Sequence, residues 1–340
     1  MLSSVDPVKL ERILKEGVDN GALPASFVAI GDAEGNLISC AAGNRLLNNP
    51  ASGSIGDDTI FWICSQTKLV TSIALLQLVE AGKISLDTPV AQVLFELRNP
   101  VLVLAHDESG KIASTAPVRG NITMGQLLNH TSGLDYSIDG KQDTTAPWFG
   151  VHATFTHNYT GDGIQKFFEL IKGDLPGVPL RFEPGSDWAY GFGHDCAGFV
   201  VERLSGKSLE QYFQDHIFSP LGITTASFKL SQATKEKLMQ LSLRKADGSM
   251  ELLDIPSFHD EQSTVHFGGL GLYSSQKDYT RLLQHLLQIK LGKATKPILS
   301  QSSVDSLFIP TLTSAGAANN NNNNKPIWSH MWVLGDDKRG

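Results

Sequence analysis

Cysteine is scarce. Only Cys40, Cys64 and Cys196 occur in 340 residues, an odd number without metal-ligand spacing. Such a set builds no disulfide framework and no zinc site, and it fits a reducing compartment, so a cytoplasmic protein is expected. A basic surplus is missing too: 28 Lys and Arg stand against 35 Asp and Glu, a formal net charge of −7. That balance leaves no surface for nucleic acid or anionic lipid. No apolar run approaches the roughly 18 residues of a membrane span, and the opening Met1-Leu2-Ser3-Ser4 lacks the basic and apolar regions of a secretory signal. Neither a nucleic-acid nor a membrane partner is therefore expected.

Several enzyme signatures are missing as well. There is no Gly-x-Ser-x-Gly elbow, the usual mark of an α/β-hydrolase triad. Gly206-Lys207-Ser208 has the end of a phosphate loop, but Val201 stands where its first glycine belongs. His259, Asp260, Glu261 and His266 lack His-Glu-x-x-His spacing, so no metal and no cofactor is expected. What is present is an ordinary globular composition, 41% hydrophobic and 19% charged, which argues against disorder.

Asp6 and Pro7 read as the cap and first turn of a helix whose apolar stripe is Leu10, Ile13, Leu14 and Val18. Runs 26–31 and 37–42, joined by Glu34-Gly35-Asn36, read as a hairpin. The strongest helix runs from Ser65 to Ala81, apolar around most of its circumference and therefore buried, with Gly82 as its terminator. Residues 85–265 read as mainly helical, with helices at 123–130, 163–173, 194–204 and 209–218. Ser274 or Ser275 caps a further helix through Tyr279, Leu282, Leu283, Leu286 and Leu287. Asn319–Asn324 reads as a low-complexity loop, Ile327–Leu334 as a strand and 336–340 as a turn.

The candidate chemistry lies in Cys64-Ser65-Gln66-Thr67-Lys68. With the helix beginning at Ser65, residues three apart share a face, so the Lys68 amine can reach the Ser65 hydroxyl. Burial and the positive end of the helix dipole both favour the neutral amine, which can take the serine proton. Lysine suits this role because its charge yields to burial, whereas arginine stays charged. Ser-x-x-Lys alone also describes a serine cap with a solvated lysine. The aromatic and apolar lead-in Phe61-Trp62-Ile63 and the buried helix favour catalysis. Cys64, between apolar neighbours, reads as a buried inert thiol, and His130 as a structural residue closing a helix whose left-handed terminator is Gly133. Trp148, Phe149 and Phe155 fit either an acyl pocket or the core.

Besides Ser65–Lys68, the chain carries Leu127-Leu-Asn-His-Thr-Ser-Gly-Leu134, Pro184-Gly-Ser-Asp-Trp-Ala-Tyr190, Gly198-Phe-Val-Val-Glu-Arg-Leu-Ser-Gly206, Pro220-Leu-Gly-Ile-Thr224 and Gly268-Gly-Leu-Gly-Leu272. In this order the motifs resemble the β-lactamase-like serine hydrolases: class C β-lactamases, DD-peptidases, family VIII esterases and fungal lovastatin-type acyltransferases. The run Trp188–Asp195 is most similar to the fungal members. The resemblance implies an α/β (α+β) fold of the β-lactamase/transpeptidase type, an antiparallel sheet flanked by helices with an inserted, mainly helical subdomain. It implies one such domain over 1–340, with sheet-containing parts 1–60 and 266–340 and a helical part 61–265 carrying the catalytic helix. Ser65 would be the nucleophile, and Lys68 and Tyr190 would handle protons, with water or an alcohol accepting the acyl group. Acyl donors would be small esters or thioesters, including one on an acyl-carrier protein, and the enzyme would serve secondary metabolism.

Two departures follow from the same resemblance. Amide-cleaving members have Tyr-x-Asn, and here that asparagine is Phe192, which points to ester or thioester donors. The third motif lies on a strand past Gly340, so the chain is expected to be C-terminally incomplete. That strand implies one oxyanion-hole amide, Ser65 supplying the other, and losing one donor costs about 10²–10³ in rate. The alternatives are a β-lactamase or DD-peptidase, and an inactive pseudoenzyme acting as a binding protein.

Overall fold

The structure, a computed structural model, describes residues 5–136, 138, 153–155, 157, 159–252 and 264–312. The expected strand at 327–334, the turn at 336–340 and the loop at 319–324 lie outside the described residues, as do Trp148, Phe149, His259, Asp260 and Glu261. In chain order the first elements are α1 (Pro7–Asp19), β1 (Ala25–Gly31), β2 (Leu37–Leu46), β3 (Asn49–Ser54), β4 (Ile60–Trp62) and α2 (Thr67–Glu80). Then come β5 (Val101–His106), β6 (Ile112–Pro117), α3 (Met124–Leu128), α4 (Gly163–Lys172), β7 (Pro179–Leu180), α5 (Gly193–Ser205) and α6 (Leu209–Phe213). The last are α7 (Gln232–Lys235), β8 (Ser242–Arg244), β9 (Met250–Leu252), β10 (Tyr273–Ser275), α8 (Gln276–Lys290) and α9 (Gln301–Ser306). Among the described residues no helix is long and apolar enough to cross a membrane.

The chain divides into two compact units. The first comprises the described residues of Met1–Gln66, Phe213–Asp260 and Leu270–Gln301. Asp6 caps α1 as its sequence requires, its carboxylate accepting from the amides of Val8 and Lys9. β1, β2 and β3 form an antiparallel sheet in that order, with Val28 opposite Cys40. Asp32 builds the β1–β2 turn by accepting from the amides of Glu34 and Asn36. α8, capped by Ser275 on the amide of Asp278, packs on β1. The short strands β4 and β10 pair antiparallel, Phe61 opposite Ser274. Ile13, Leu283 and Leu287 were expected among core stripes but point outward, 50%, 44% and 37% exposed. On both helices a narrower stripe suffices to cover the sheet.

The second unit comprises the described residues of Thr67–Tyr212, Glu261–Gly269 and Ser302–Gly340. Its α2 packs against α5, which also contacts α3. Ile73, Ala74 and Leu75 of α2 and Phe199, Val200 and Val201 of α5 are wholly buried. Gly82 ends α2 with φ +67°, as expected. This unit also holds a sheet of order β6-β5-β7, in a stretch whose pattern reads as mainly helical. The β5–β6 turn is organised by Asp107, which accepts from the amides of Ser109 and Lys111. The expected helix at 209–218 is α only to Phe213 and widens to a π turn at Gln214–Phe218.

Candidate active site

The chain enters the site through β4. The amide of Ile63 donates to the carbonyl of Leu272, and the Trp62 indole donates to that of Leu270 at 2.6 Å. A 3₁₀ turn follows at Cys64–Gln66, and the α-helix begins only at Thr67. Ser65 therefore stands in the turn before α2, not in its first α-helical turn as the sequence pattern suggests. Cys64 takes φ +47°, a left-handed conformation costing a non-glycine residue about 1–3 kcal/mol. The turn is pinned from both sides, the amide of Gln66 donating to Ile63 and the Tyr279 hydroxyl to the Gln66 carbonyl. Ser65 is buried, its Oγ 3.9 Å from Cys64 Sγ, and Cys64 is half-buried where a fully buried thiol was expected. All these contacts lie within the first unit.

Lys68 and Tyr190 belong to the second unit, and there they meet. Lys68, 1% exposed, donates from Nζ to the carbonyl of Gly269 at 2.7 Å. The same Nζ lies 4.5 Å from the centre of the Tyr190 ring and 5.8 Å from that of Tyr136, whose electron-rich faces favour a cation. Polar neighbours on α2 are satisfied in the same region. Thr71 Oγ1 donates to Gly268 O at 2.7 Å, and Ser72 Oγ donates to Lys68 O and contacts His194 Nε2 at 3.2 Å. Among the described residues, no group of three His, Cys, Asp or Glu is placed to hold a metal ion.

The structure adds Asp195, which motif reading passes over. It is wholly buried in the first turn of α5, accepting from the amide of Gly269 at 2.8 Å and, at 3.4 Å, from the Tyr136 hydroxyl. Burial pushes its carboxyl up to about 6, against the pull of Lys68 and these two donors. Gly269 thus joins Lys68, through its carbonyl, to Asp195, through its amide. A β-carbon on Gly269 would stand 2.8 Å from the Asp195 carboxylate, so glycine is required by close approach. The one signal in the sequence is an acidic residue just before the apolar run Cys196–Val201.

Phe192 is wholly buried as the N-cap residue of α5, edge-on to Tyr136 at 4.7 Å and near Phe155 and Phe167. Phe155, open between pocket and core, is 2% exposed in this aromatic cluster. His130, not Gly133, is the left-handed residue that ends α3, with φ +61°. Gly133 has φ +86° and a separate reason to be glycine: its β-carbon would lie 2.6 Å from the carbonyl of Phe182. Burial and Lys68 push the His130 imidazole down to about 3, and burial lowers His194 too, so both rings are neutral.

The chain is 31% identical over 318 residues to monacolin J acid methylbutanoyltransferase of Aspergillus terreus, covering 91% of this chain and 72% of that protein. It is 30% identical over 316 residues to lovastatin esterase of Penicillium rubens, covering 91% and 74%. The solved structure of simvastatin synthase from Aspergillus terreus matches with a TM-score of 0.73 at 28% identity, covering 94% of this chain and 76% of that one. These matches carry the fold expected from the motifs. The family model described as Beta-lactamase matches residues 10–339, and the chain belongs to the β-lactamase family.

Proposed function

We propose that the chain is a serine acyltransferase or esterase that passes the acyl group of a small ester or thioester through an acyl-Ser65 intermediate. The observation that carries this is the buried amine of Lys68 lying over the Tyr190 ring, at the start of the helix that follows Ser65. In the first half-reaction a bond forms from Ser65 Oγ to the acyl carbon and the donor's C–O or C–S bond breaks. The serine proton passes to Lys68 and Tyr190 and from them to the leaving group. In the second, water or an alcohol attacks the acyl carbon, its proton goes to the same pair, and Ser65 recovers its proton as the ester breaks.

The relatives include a methylbutanoyltransferase and an ester hydrolase, which supports a short branched acyl donor and a bulky alcohol, with water as competitor, in fungal-type secondary metabolism. A thioester on an acyl-carrier protein is one donor form. Phe192, with no hydrogen bond to offer an amide, supports esters over lactams and peptides. Cysteine usage supports the cytoplasm, since the three thiols form no disulfide.

Brief exposure to a nitrophenyl methylbutanoate followed by intact-mass measurement tests the proposal. One acyl adduct is expected on the wild type and none on Ser65→Ala. An adduct that survives Ser65→Ala, or a chromogenic cephalosporin turned over faster than the ester, would overturn it.

A further inference from the structure

His130 occupies a position that suits its residue type poorly. Asn129 is the C-cap of α3, and the amide of Thr131 reaches back to the carbonyl of Gln126 at 3.2 Å. That bond closes a Schellman turn, whose left-handed residue is usually glycine because a β-carbon is strained there. His130 carries that strain at φ +61°. It is also 4% exposed, and its Nε2 finds no hydrogen-bond partner among the described residues. A residue retained for the turn alone would be glycine or asparagine, and one retained for packing alone would be apolar.

What the histidine supplies is directed at one segment. Its carbonyl accepts from the amide of Ala189 at 3.0 Å, and its Nδ1 accepts from the amide of Gly191 at 3.4 Å. These are the residues on either side of Tyr190, whose ring centre lies 4.6 Å from that of His130. Because Nδ1 accepts, the proton of the neutral ring sits on Nε2. The ionisable groups facing it are Lys68, which acts on it electrostatically, His194, with ring centres 5.0 Å apart, and Tyr190 itself. Burial and the Lys68 charge keep the ring neutral, so Nδ1 remains an acceptor wherever the enzyme is folded and active.

We propose that His130 is the positioning residue of Tyr190: it holds the amides flanking the tyrosine and packs on its ring, and so sets where the phenol stands against Lys68. This rests on Tyr190 being a proton carrier. Displacing such a group by about 1 Å costs on the order of 10²-fold in rate.

The test compares Tyr190→Phe, His130→Phe and His130→Asn in nitrophenyl ester hydrolysis, with circular dichroism as the check on folding. His130→Phe keeps a ring but loses the acceptor, and kcat should fall about 30–100-fold with KM changed less than about threefold. His130→Asn offers Oδ1 in place of Nδ1 and tolerates the left-handed backbone, so it should return kcat to within about tenfold of wild type. A His130→Phe variant at wild-type kcat, with Tyr190→Phe slow, overturns the positioning role alone. Tyr190→Phe at wild-type kcat overturns the role of Tyr190 instead. Should neither histidine variant fold, the imidazole ¹⁵N spectrum of the wild-type protein decides. An unprotonated Nδ1 and protonated Nε2 on His130 are expected, and the opposite tautomer overturns the inference.

Discussion

Helices α2 and α8 have similar lengths, fourteen and fifteen residues, yet eleven residues of α2 are buried against six of α8. Each buries a charged residue in its first turn, Lys68 in α2 and Asp278 in α8. Asp278 is surrounded by donors: the amides of Thr224 and Thr225, the Thr225 hydroxyl and Arg281. Those bonds tie the 224–225 segment to α8, and the carboxylate does nothing else visible. Lys68 instead meets a backbone carbonyl and two ring faces, with the buried Asp195 acting on it electrostatically. Asp278 thus ties down a neighbouring segment, whereas Lys68 lies 4.5 Å from the ring centre of Tyr190, the other residue proposed to carry a proton. The largest effect expected from the contrast is on Lys68→Met. Activity should fall by about 10³-fold or more while circular dichroism stays unchanged, because the methionine fills the buried volume without a base. Retention of a tenth of wild-type ester hydrolysis would remove the distinction between the two helices.

Asp195 sharpens it. The carboxyl is raised in the folded protein to about 6 from 3.8, so the folded state binds a proton more tightly than the unfolded chain. Stability from this group is therefore full below pH 3.8 and is lost as pH rises through about 6. Asp195→Asn keeps an acceptor for the Gly269 amide and carries no charge. Relative to wild type, the variant should gain stability across that window, by roughly 2–3 kcal/mol at pH 8, and the gain should vanish near pH 4. Urea midpoints at a series of pH values measure it. A constant difference between the two proteins would mean that the Asp195 carboxyl titrates alike in the folded and unfolded states.

Local signals made much of this molecule legible. The Asp6 cap, the β1–β2 hairpin, the length and burial of α2, Gly82 at its end and the Ser275 cap of α8 each depend on residues within one or two turns. β4, β7 and β10 are two or three residues long and have no periodicity to read; β4 and β10 exist because segments some 200 residues apart pair. β5 and β6 did carry a signal, the apolar run from Val101 before Asp107-Glu-Ser-Gly110, but it sits in surroundings of helical pattern. Of the residues proposed for the site, Ser65, Lys68 and Tyr190 could be picked out by motif. The clamp from Lys68 through Gly269 to Asp195 could not, since it joins residues 201 and 74 positions apart. The left-handed Cys64 and His130 are hidden for a related reason: their side chains do not announce a conformation that tertiary contacts impose.

The smallest effect belongs to the outward side of α8. Leu283 and Leu287 are one turn apart and 44% and 37% exposed. Each already leaves much of its apolar surface in water, so replacing it removes little of the hydrophobic contribution to folding. Leu283→Glu with Leu287→Lys puts the acidic residue N-terminal to the basic one at i,i+4, the favourable order for a helix, at about 0.3–0.5 kcal/mol. Partial loss of leucine contact and gain of the ion pair should nearly cancel, leaving stability within about 0.5 kcal/mol and ester hydrolysis unchanged. The same pair of exchanges on α2, at positions with no exposed surface, would not give a folded helix. Thermal unfolding of the α8 double variant at low and high salt measures the outcome. A loss well above 1 kcal/mol would show that these leucines are covered in solution, and the contrast between a helix buried all round and one buried on a single stripe would then fail.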